Sequence, residues 1–137
     1  MRSIVHALAA FVLAWPAVLA AQPAPAALSA WVAVPAAGAT AASVYVEISN
    51  PTMYEIYITA ATSDAARTVE LRGGGAAPAV VTEFPVPAFG STEAAASAPH
   101  LRLVDLSRPL APGDTVQLTL TTDSGATLKV TASVRQP

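Results

Sequence analysis

The sequence lacks cysteine and is poor in the side chains from which most enzyme and metal sites are built. Its 137 residues contain no cysteine, two histidines and two methionines. The absence of cysteine excludes disulfides, thiolate metal sites and a lipid-modified amino-terminal cysteine. Charged residues make up 12% of the chain and the net charge is −2. Because no basic run is present, neither nucleic acid nor an anionic membrane surface is expected as a partner.

The first 21 residues have the order of a cleavable secretory signal peptide. Arg2 precedes an apolar run from Ile4 to Leu19, and cleavage is predicted after Ala20 or Ala21. A membrane-spanning helix needs ~20 apolar residues, whereas this run is interrupted by a histidine and a proline. An uncleaved membrane anchor is the alternative interpretation. Cleavage would leave residues 22–137, which suffice for one domain, and we expect an exported monomer that does not insert into the membrane.

The remaining chain has the pattern of short β-strands. In "SVYVEIS", Val44, Val46 and Ile48 alternate with polar residues and Tyr45, as in a half-buried strand. The alternation recurs in "MYEIYITAA", "TVELR", "VQLTLT" and "TLKVTASV", and further apolar runs are "AWVAV", "VVTEF" and "HLRLVDL". The segment "TTDSGATLKV" predicts a hairpin. About eight short strands with little helical periodicity predict an all-β fold, an antiparallel β-sandwich.

Four stretches of this strand pattern carry a resemblance to a known family. They are "AWVAVPAAGATAASVYVEISNP", "VELR", "FPVPAFGSTE" and, most specifically, "HLRLVDLSRPLAPGDTVQLTLT". From Trp31 onward the chain resembles the periplasmic copper chaperone PCu(A)C family. The resemblance implies a cupredoxin-like β-sandwich over residues 22–137 and a periplasmic location. It also implies copper(I) binding and delivery to a copper-acceptor protein of oxidase assembly.

The resemblance further implies where copper(I) would be held. Members of the family use a histidine and a methionine of the middle segment and a His-x-Met pair on a later strand, and copper(I) favours such soft donors. Those four positions fall on Arg72, Glu83, His100 and Arg102 in this sequence. His100 is therefore the single candidate metal ligand, and the other three are degenerate ligand positions. Because a guanidinium has no lone pair to offer, copper(I) binding is expected to be weak or lost.

Two alternatives to a copper site remain open for the same residues. In the first, the protein is a non-metal binding or adaptor module that uses Arg72, His100 and Arg102 to recognise an anion or a partner's carboxylate. If the alignment holds, these three and Glu83 share one rim as an ion-pair cluster. In the second, His100 is a strand-end histidine bonded to the backbone or to a carboxylate. Met53 lies after "NPT" with no motif linking it to His100, and is expected to be an exposed turn residue or core edge.

The sequence gives little support for catalysis, and we predict that the protein is not an enzyme. A nucleophile needs a base, and His100 is the only imidazole outside the signal segment, with no G-x-S-x-G motif beside it. The segment "RGGGAAP" lacks the Lys-Ser/Thr of a phosphate loop and is expected to be a flexible turn. The carboxylates show no calcium-type spacing and are expected to be solvated.

Overall fold

The computed structural model describes residues 9–12 and 23–137, and its strands span residues 26–135. The ten strands are β1 (Ala26–Ala33), β2 (Ala41–Asn50), β3 (Ile56–Ser63), β4 (Ala66–Arg72), β5 (Val80–Val81), β6 (Phe84–Val86), β7 (Gly90–Thr92), β8 (His100–Leu106), β9 (Thr115–Thr122) and β10 (Thr127–Arg135). The all-β prediction is confirmed. The predicted signal peptide, residues 1–21, lies outside the described residues except for positions 9–12. Within the described ranges, no helix has the length and apolar character that crossing a bilayer requires.

The strands form one continuous hydrogen-bonded sheet, and this sheet folds over on itself. The order is β5-β4-β8-β2-β1-β10-β9-β3-β6, and β7 pairs with the end of β2. Buried residues from both halves of this sheet form a single core, which gives the sandwich-like packing that was expected. The paired strands are antiparallel, as predicted, except that β1 and β10 run parallel. This pair joins strands from opposite ends of the described chain, and strand periodicity carries no signal for it.

The core is built from the alternating apolar residues of the sequence. On β2 every second residue is buried, with Val44 and Ile48 at 0% exposure. β9 shows the same alternation, and its residues Val116, Leu118 and Leu120 are buried as predicted. Burying a side chain of this size stabilises the fold by about 1.5–3 kcal/mol relative to leaving it in water. The predicted β9–β10 hairpin is also confirmed, with Gly125 at φ 84° in its turn.

The described residues form ten strands where about eight were expected, and two local features account for the difference. The run "VVTEF" divides into β5 and β6, which pair with β4 and β3 in different halves of the sheet. β7 has no apolar alternation, and it is held to β2 through Thr92. The Thr92 hydroxyl accepts from the Ile48 amide at 3.1 Å and donates to the Val46 carbonyl at 3.2 Å.

Strand directions distinguish the two ends of the sandwich. β2 ends at Asn50 and β4 ends at Arg72, on the side where the antiparallel β8 begins at His100. We call this side the histidine end. β2 and β4 begin, and β8 ends at Leu106, on the opposite side.

Candidate functional site

Two neighbouring strands bring three of the four sequence-predicted positions together. The antiparallel register of β4 and β8 sets Arg72 opposite His100, and Glu70 opposite Arg102. His100 and Arg102 share a face of β8 because they are two residues apart, while Leu101 between them is fully buried in the core. Directly opposed side chains on a sheet have Cβ atoms about 5 Å apart. Arg72, His100 and Arg102 therefore form one group on the outer face of the sheet.

Glu83, the fourth predicted position, is not the carboxylate that pairs with this group. It is exposed, and it lies in the link between β5 and β6. Arg72 pairs instead with Glu70, at 2.5 Å between Nη2 and Oε2 and 3.1 Å between Nε and Oε2. Arg72 also donates to the Pro78 carbonyl at 3.2 Å. The predicted ion-pair cluster thus includes Glu70, which the sequence analysis did not single out, in place of Glu83.

Arg102 differs from Arg72 in lacking a carboxylate partner. In the part of the chain that the structure describes, the ion pairs are Arg72 with Glu70 and Arg108 with Asp64. Arg102 belongs to neither pair and is partly exposed. Its guanidinium makes no ion pair of its own with the described residues, although Glu70 lies opposite it on β4.

His100 is held by the backbone and by an aromatic ring. It is 5% exposed, and its Nδ1 lies 3.0 Å from the Ala98 carbonyl oxygen. Because a carbonyl only accepts, Nδ1 carries the proton, and Nε2 of the neutral ring keeps a lone pair. Nε2 makes no hydrogen bond to another of the described residues. The backbone-bonded strand-end histidine expected from the sequence is therefore present.

The imidazole belongs to a row of stacked side chains that crosses four strands. Its centroid lies 5.2 Å from that of Tyr45, which lies 4.7 Å from the centroid of Trp31. The Arg135 guanidinium sits 4.5 Å from the Trp31 ring centroid, in the geometry of a cation–π contact. Trp31 Nε1 also donates to the Ala94 carbonyl at 3.3 Å, in the loop that leads to His100. The row fixes the orientation of the imidazole ring.

The glycine-rich segment beside this group forms an irregular, largely exposed turn, as expected, with one close backbone contact at Gly74. A Cβ atom on Gly74 would lie 2.2 Å from the Ser97 carbonyl oxygen, whereas one on Gly73 would meet nothing closer than 3.8 Å. The Gly75 amide donates to the Ala96 carbonyl at 3.4 Å. Gly74 is therefore required for the close approach of two backbone segments, and this contact supports the loop that carries Ala98.

The arrangement offers copper(I) a single imidazole. No group of three or more His, Cys, Asp or Glu side chains that could hold a metal ion occurs among the described residues. Met53 is 64% exposed, as expected for a turn residue, in the loop that follows Asn50. Tyr45, which stacks on His100, lies five residues before Asn50 on β2, a separation of about 17 Å along a strand. Met53 is therefore too remote to bind a metal ion together with His100.

A groove of the fold lies at the other end of the sandwich. It has a volume of about 570 Å³, and its lining includes Thr40, Asp64, Arg67 and Asp105. The six residue steps of β8 separate this end from His100, about 20 Å along an extended strand. The candidate site is thus a surface on the sheet face and does not use this groove.

Comparisons with known proteins agree with this fold. Residues 26–134 match the LpqE-like family, described as lipoprotein LpqE-like. The copper-bound PCuAC domain from PmoF2 is 22% identical with a TM-score of 0.71, over 81% of this chain and 92% of that domain. The apo PCuAC domain from PmoF1 is 20% identical with a TM-score of 0.70, over the same shares of the two chains.

A third solved structure is more similar in sequence. The copper(I) form of DR1885 from Deinococcus radiodurans is 29% identical with a TM-score of 0.71, over 85% of this chain and 82% of that one. Among curated proteins, none matches this chain. The chain therefore belongs to the LpqE-like family and has the fold of the PCuAC domain, which confirms its resemblance to the PCu(A)C family.

Proposed function

We propose that this protein is an exported, non-enzymatic member of the copper-chaperone family in which copper(I) binding is reduced to the single imidazole of His100. The observation that supports this most strongly is the pairing of Arg72 with His100 across β4 and β8. An arginine occupies the place opposite His100 where the family resemblance implies a second histidine. A guanidinium can neither ligate a cation nor lose its charge at physiological pH.

Electrostatics adds to the loss of ligands. A unit charge about 5 Å from copper(I) at an effective dielectric constant of about 20 opposes binding by about 3 kcal/mol, or about two orders of magnitude in affinity. Glu70 offsets this effect for Arg72, with which it is paired. Arg102 has no such partner among the described residues. Copper(I) at His100 would therefore meet one donor nitrogen beside two guanidiniums, of which only that of Arg72 is ion-paired with Glu70.

The proposed location is the periplasm. Export is supported by the signal-peptide pattern of residues 1–21 and by the lipoprotein description of the matched family. The chain has no cysteine, so it cannot carry a thioether-linked lipid, and cleavage would release it from the membrane. The family resemblance implies delivery of copper to an acceptor protein of oxidase assembly. A single-histidine site could take part only as a weak, rapidly exchanging donor.

Anaerobic copper(I) competition with bicinchoninate tests the proposal. We expect the protein to lose copper(I) to the chelator, and His100→Phe to abolish the residual binding while keeping a ring against Tyr45. Copper(I) retained by the protein at picomolar to nanomolar affinity would overturn the single-ligand account. Equal residual binding by the parent and by His100→Phe would show that another group holds the metal.

The unpaired guanidinium of Arg102 supports a second candidate function. Arg102 lies beside His100 and Arg72 on the outer face of the sheet and is partly exposed, and a guanidinium binds a carboxylate or phosphate through two parallel hydrogen bonds. The site would then recognise an anion or a carboxylate of a protein partner. Titration with inorganic phosphate and with N-acetylglycine, followed by NMR, tests this function. If the site binds anions, these ligands should shift the NMR signals of His100. Arg102→Gln should abolish the shifts, whereas Arg67→Gln, at the opposite end of the sandwich, should leave them unchanged.

A further inference from the structure

Three large apolar side chains are exposed to solvent on two contacting loops at the histidine end. Met53, Tyr54 and Phe89 are 64%, 71% and 75% exposed, respectively. Met53 and Tyr54 lie between β2 and β3, and Phe89 lies between β6 and β7. The Phe89 amide donates to the Thr52 carbonyl at 3.0 Å, which joins the loops. We call Met53, Tyr54 and Phe89 the apolar tip.

A buried asparagine fixes the shape of the tip. Asn50 is 0% exposed, and its Nδ2 donates to the Tyr54 carbonyl at 2.8 Å and to the Val86 carbonyl at 3.2 Å. Its Oδ1 accepts from the Thr52 amide at 3.1 Å and from the Thr52 hydroxyl at 2.6 Å. A buried amide with all of these partners specifies one conformation of the surrounding backbone. The hydrogen bonds of Asn50 therefore fix the backbone conformation of the loop that carries Met53 and Tyr54.

The backbone at Phe89 is strained. Its φ is 53°, in the left-handed region that bulky residues rarely adopt. Asparagine or glycine would adopt this conformation at a lower energetic cost. Because the ring is three-quarters exposed, its packing within the monomer gives little compensation for the strain. Strained backbone of this kind is concentrated at functional surfaces.

Carboxylates from three separate segments lie around Tyr57, which follows Tyr54 of the tip by three residues. Glu55 follows Tyr54 directly and accepts a 2.5 Å hydrogen bond from the Tyr57 hydroxyl. Asp123 accepts from the Tyr57 amide at 3.3 Å. The pKa of Tyr57 is raised by this bond to Glu55, then by the charge of Glu55 and, after burial, by the charges of Glu83 and Asp123. In the described chain none of these carboxylates has an ion-pair partner; we call Glu55, Glu83 and Asp123 the acidic collar.

We propose that the apolar tip and the acidic collar together form a docking surface for a protein partner whose own surface has an apolar centre ringed by lysine or arginine. An exposed apolar group with a polar rim is typical of protein contact sites, and the collar selects a cationic rim. An anionic membrane has the wrong charge for this surface. A second copy of the chain would place one acidic collar against another.

A defined peptide tests the charge and the polarity of this surface together. The probe is an amphipathic helical peptide of leucine and lysine, with a leucine–glutamate peptide as its control, and binding is followed by amide shifts of the exported protein. We expect the lysine peptide to shift the loops at residues 51–55 and 87–89, with binding that weakens at high salt. Phe89→Asn should weaken binding by about tenfold while raising the midpoint of urea unfolding, because it relieves the backbone strain.

Matched variants distinguish binding at the proposed docking surface from nonspecific binding to exposed apolar or acidic side chains. Val80→Ser removes an apolar side chain that is 60% exposed on β5, and it should leave peptide affinity within about twofold, as expected outside a contact hot spot. Glu83→Gln should weaken binding, whereas Asp105→Asn, on β8 toward the opposite end, should not. Binding that is absent, equal for both peptides or located away from the tip would overturn the proposal. So would dimerisation through the tip or tip-dependent binding to phosphatidylglycerol vesicles.

Discussion

Arg72 on β4 lies opposite His100 on β8, so a permanent cation faces the one imidazole that the family resemblance implies as a copper ligand. Arg102, two residues beyond His100 on the same face, is a second cation. The strand register that would bring the ligands of a copper site together is present, because β4 and β8 pair along their length. What differs is the chemistry of the side chains. A copper site would need electron-pair donors at positions 72 and 102, and the guanidiniums of Arg72 and Arg102 have no lone pair to donate.

The close contact at Gly74 predicts different responses to alanine at two adjacent glycines. Gly74→Ala should lower the free energy of unfolding by about 1–3 kcal/mol, because the new methyl group would clash with the Ser97 carbonyl. Gly73→Ala should be close to neutral, since its Cβ would meet nothing closer than 3.8 Å. Urea unfolding of both variants measures the difference. Equal stability of the two variants would show that Gly74 does not approach the Ser97 carbonyl as closely as described.

Stacking on Tyr45 makes the shape of His100 matter independently of its chemistry. His100→Ala should destabilise the fold by about 1–3 kcal/mol, because it leaves a gap beside Tyr45 and an unpaired Ala98 carbonyl. His100→Phe should cost less, because a ring still covers Tyr45. Urea unfolding compares the two variants. If the alanine variant is as stable as the parent, the imidazole is not part of the packed row.

The buried Asn50 should be among the least replaceable polar residues of the chain. Asn50→Asp keeps the size of the side chain but exchanges its two N–H donors for a buried carboxylate that faces the Tyr54 and Val86 carbonyls. We expect a loss of at least about 2–3 kcal/mol at neutral pH, partly recovered in acid as the carboxyl is protonated. Unfolding at two pH values measures this. A variant as stable as the parent at neutral pH would rule out the network described for Asn50.

The Tyr57 phenol provides a pH test of the acidic collar. Its pKa lies above the ordinary value of 10.0, first because of the hydrogen bond to Glu55 and then because of the charge of Glu55. A raised pKa in the folded state contributes stability below pH 10, and this contribution is lost as the pH rises through the folded-state pKa. Glu55→Gln should lower the pKa of Tyr57, as followed by absorbance against a Tyr57→Phe reference. An unchanged pKa would argue against the bond between the two side chains.

The fold could be predicted from the sequence because period-two alternation reports burial directly. Val44, Val46 and Ile48 alternate in sequence and are buried in the structure. The parallel pairing of β1 with β10 could not be predicted in this way, because alternation within a strand does not indicate which strand it pairs with. The division of "VVTEF" into two strands also escaped prediction, because each part binds a different half of the sheet.

The site could be predicted only in part, because its partners are set by strand register and tertiary contacts. Arg72, His100 and Arg102 were identified by resemblance, and the register brings them together. Glu70 and Tyr45 were missed as their partners, although both occupy outward-facing positions on predicted strands, which was the one available signal. The close approach at Gly74 cannot be distinguished in sequence from simple flexibility. The acidic collar joins positions 55, 83 and 123, whose spacing in the chain gives no warning of their proximity.

Restoring soft ligands at the two arginine positions tests most directly whether the scaffold has kept its metal-site geometry while losing the ligands. The variant Arg72→His with Arg102→Met supplies two donors beside His100, and Arg72→Gln with Arg102→Gln removes the same two charges without supplying a soft ligand. Bicinchoninate competition under anaerobic conditions ranks copper(I) affinity in the parent and both variants. We predict a modest gain for the glutamine pair and a further gain of at least about two orders of magnitude for the histidine–methionine pair. A histidine–methionine variant that folds but binds copper(I) no more tightly than the glutamine variant would contradict the account.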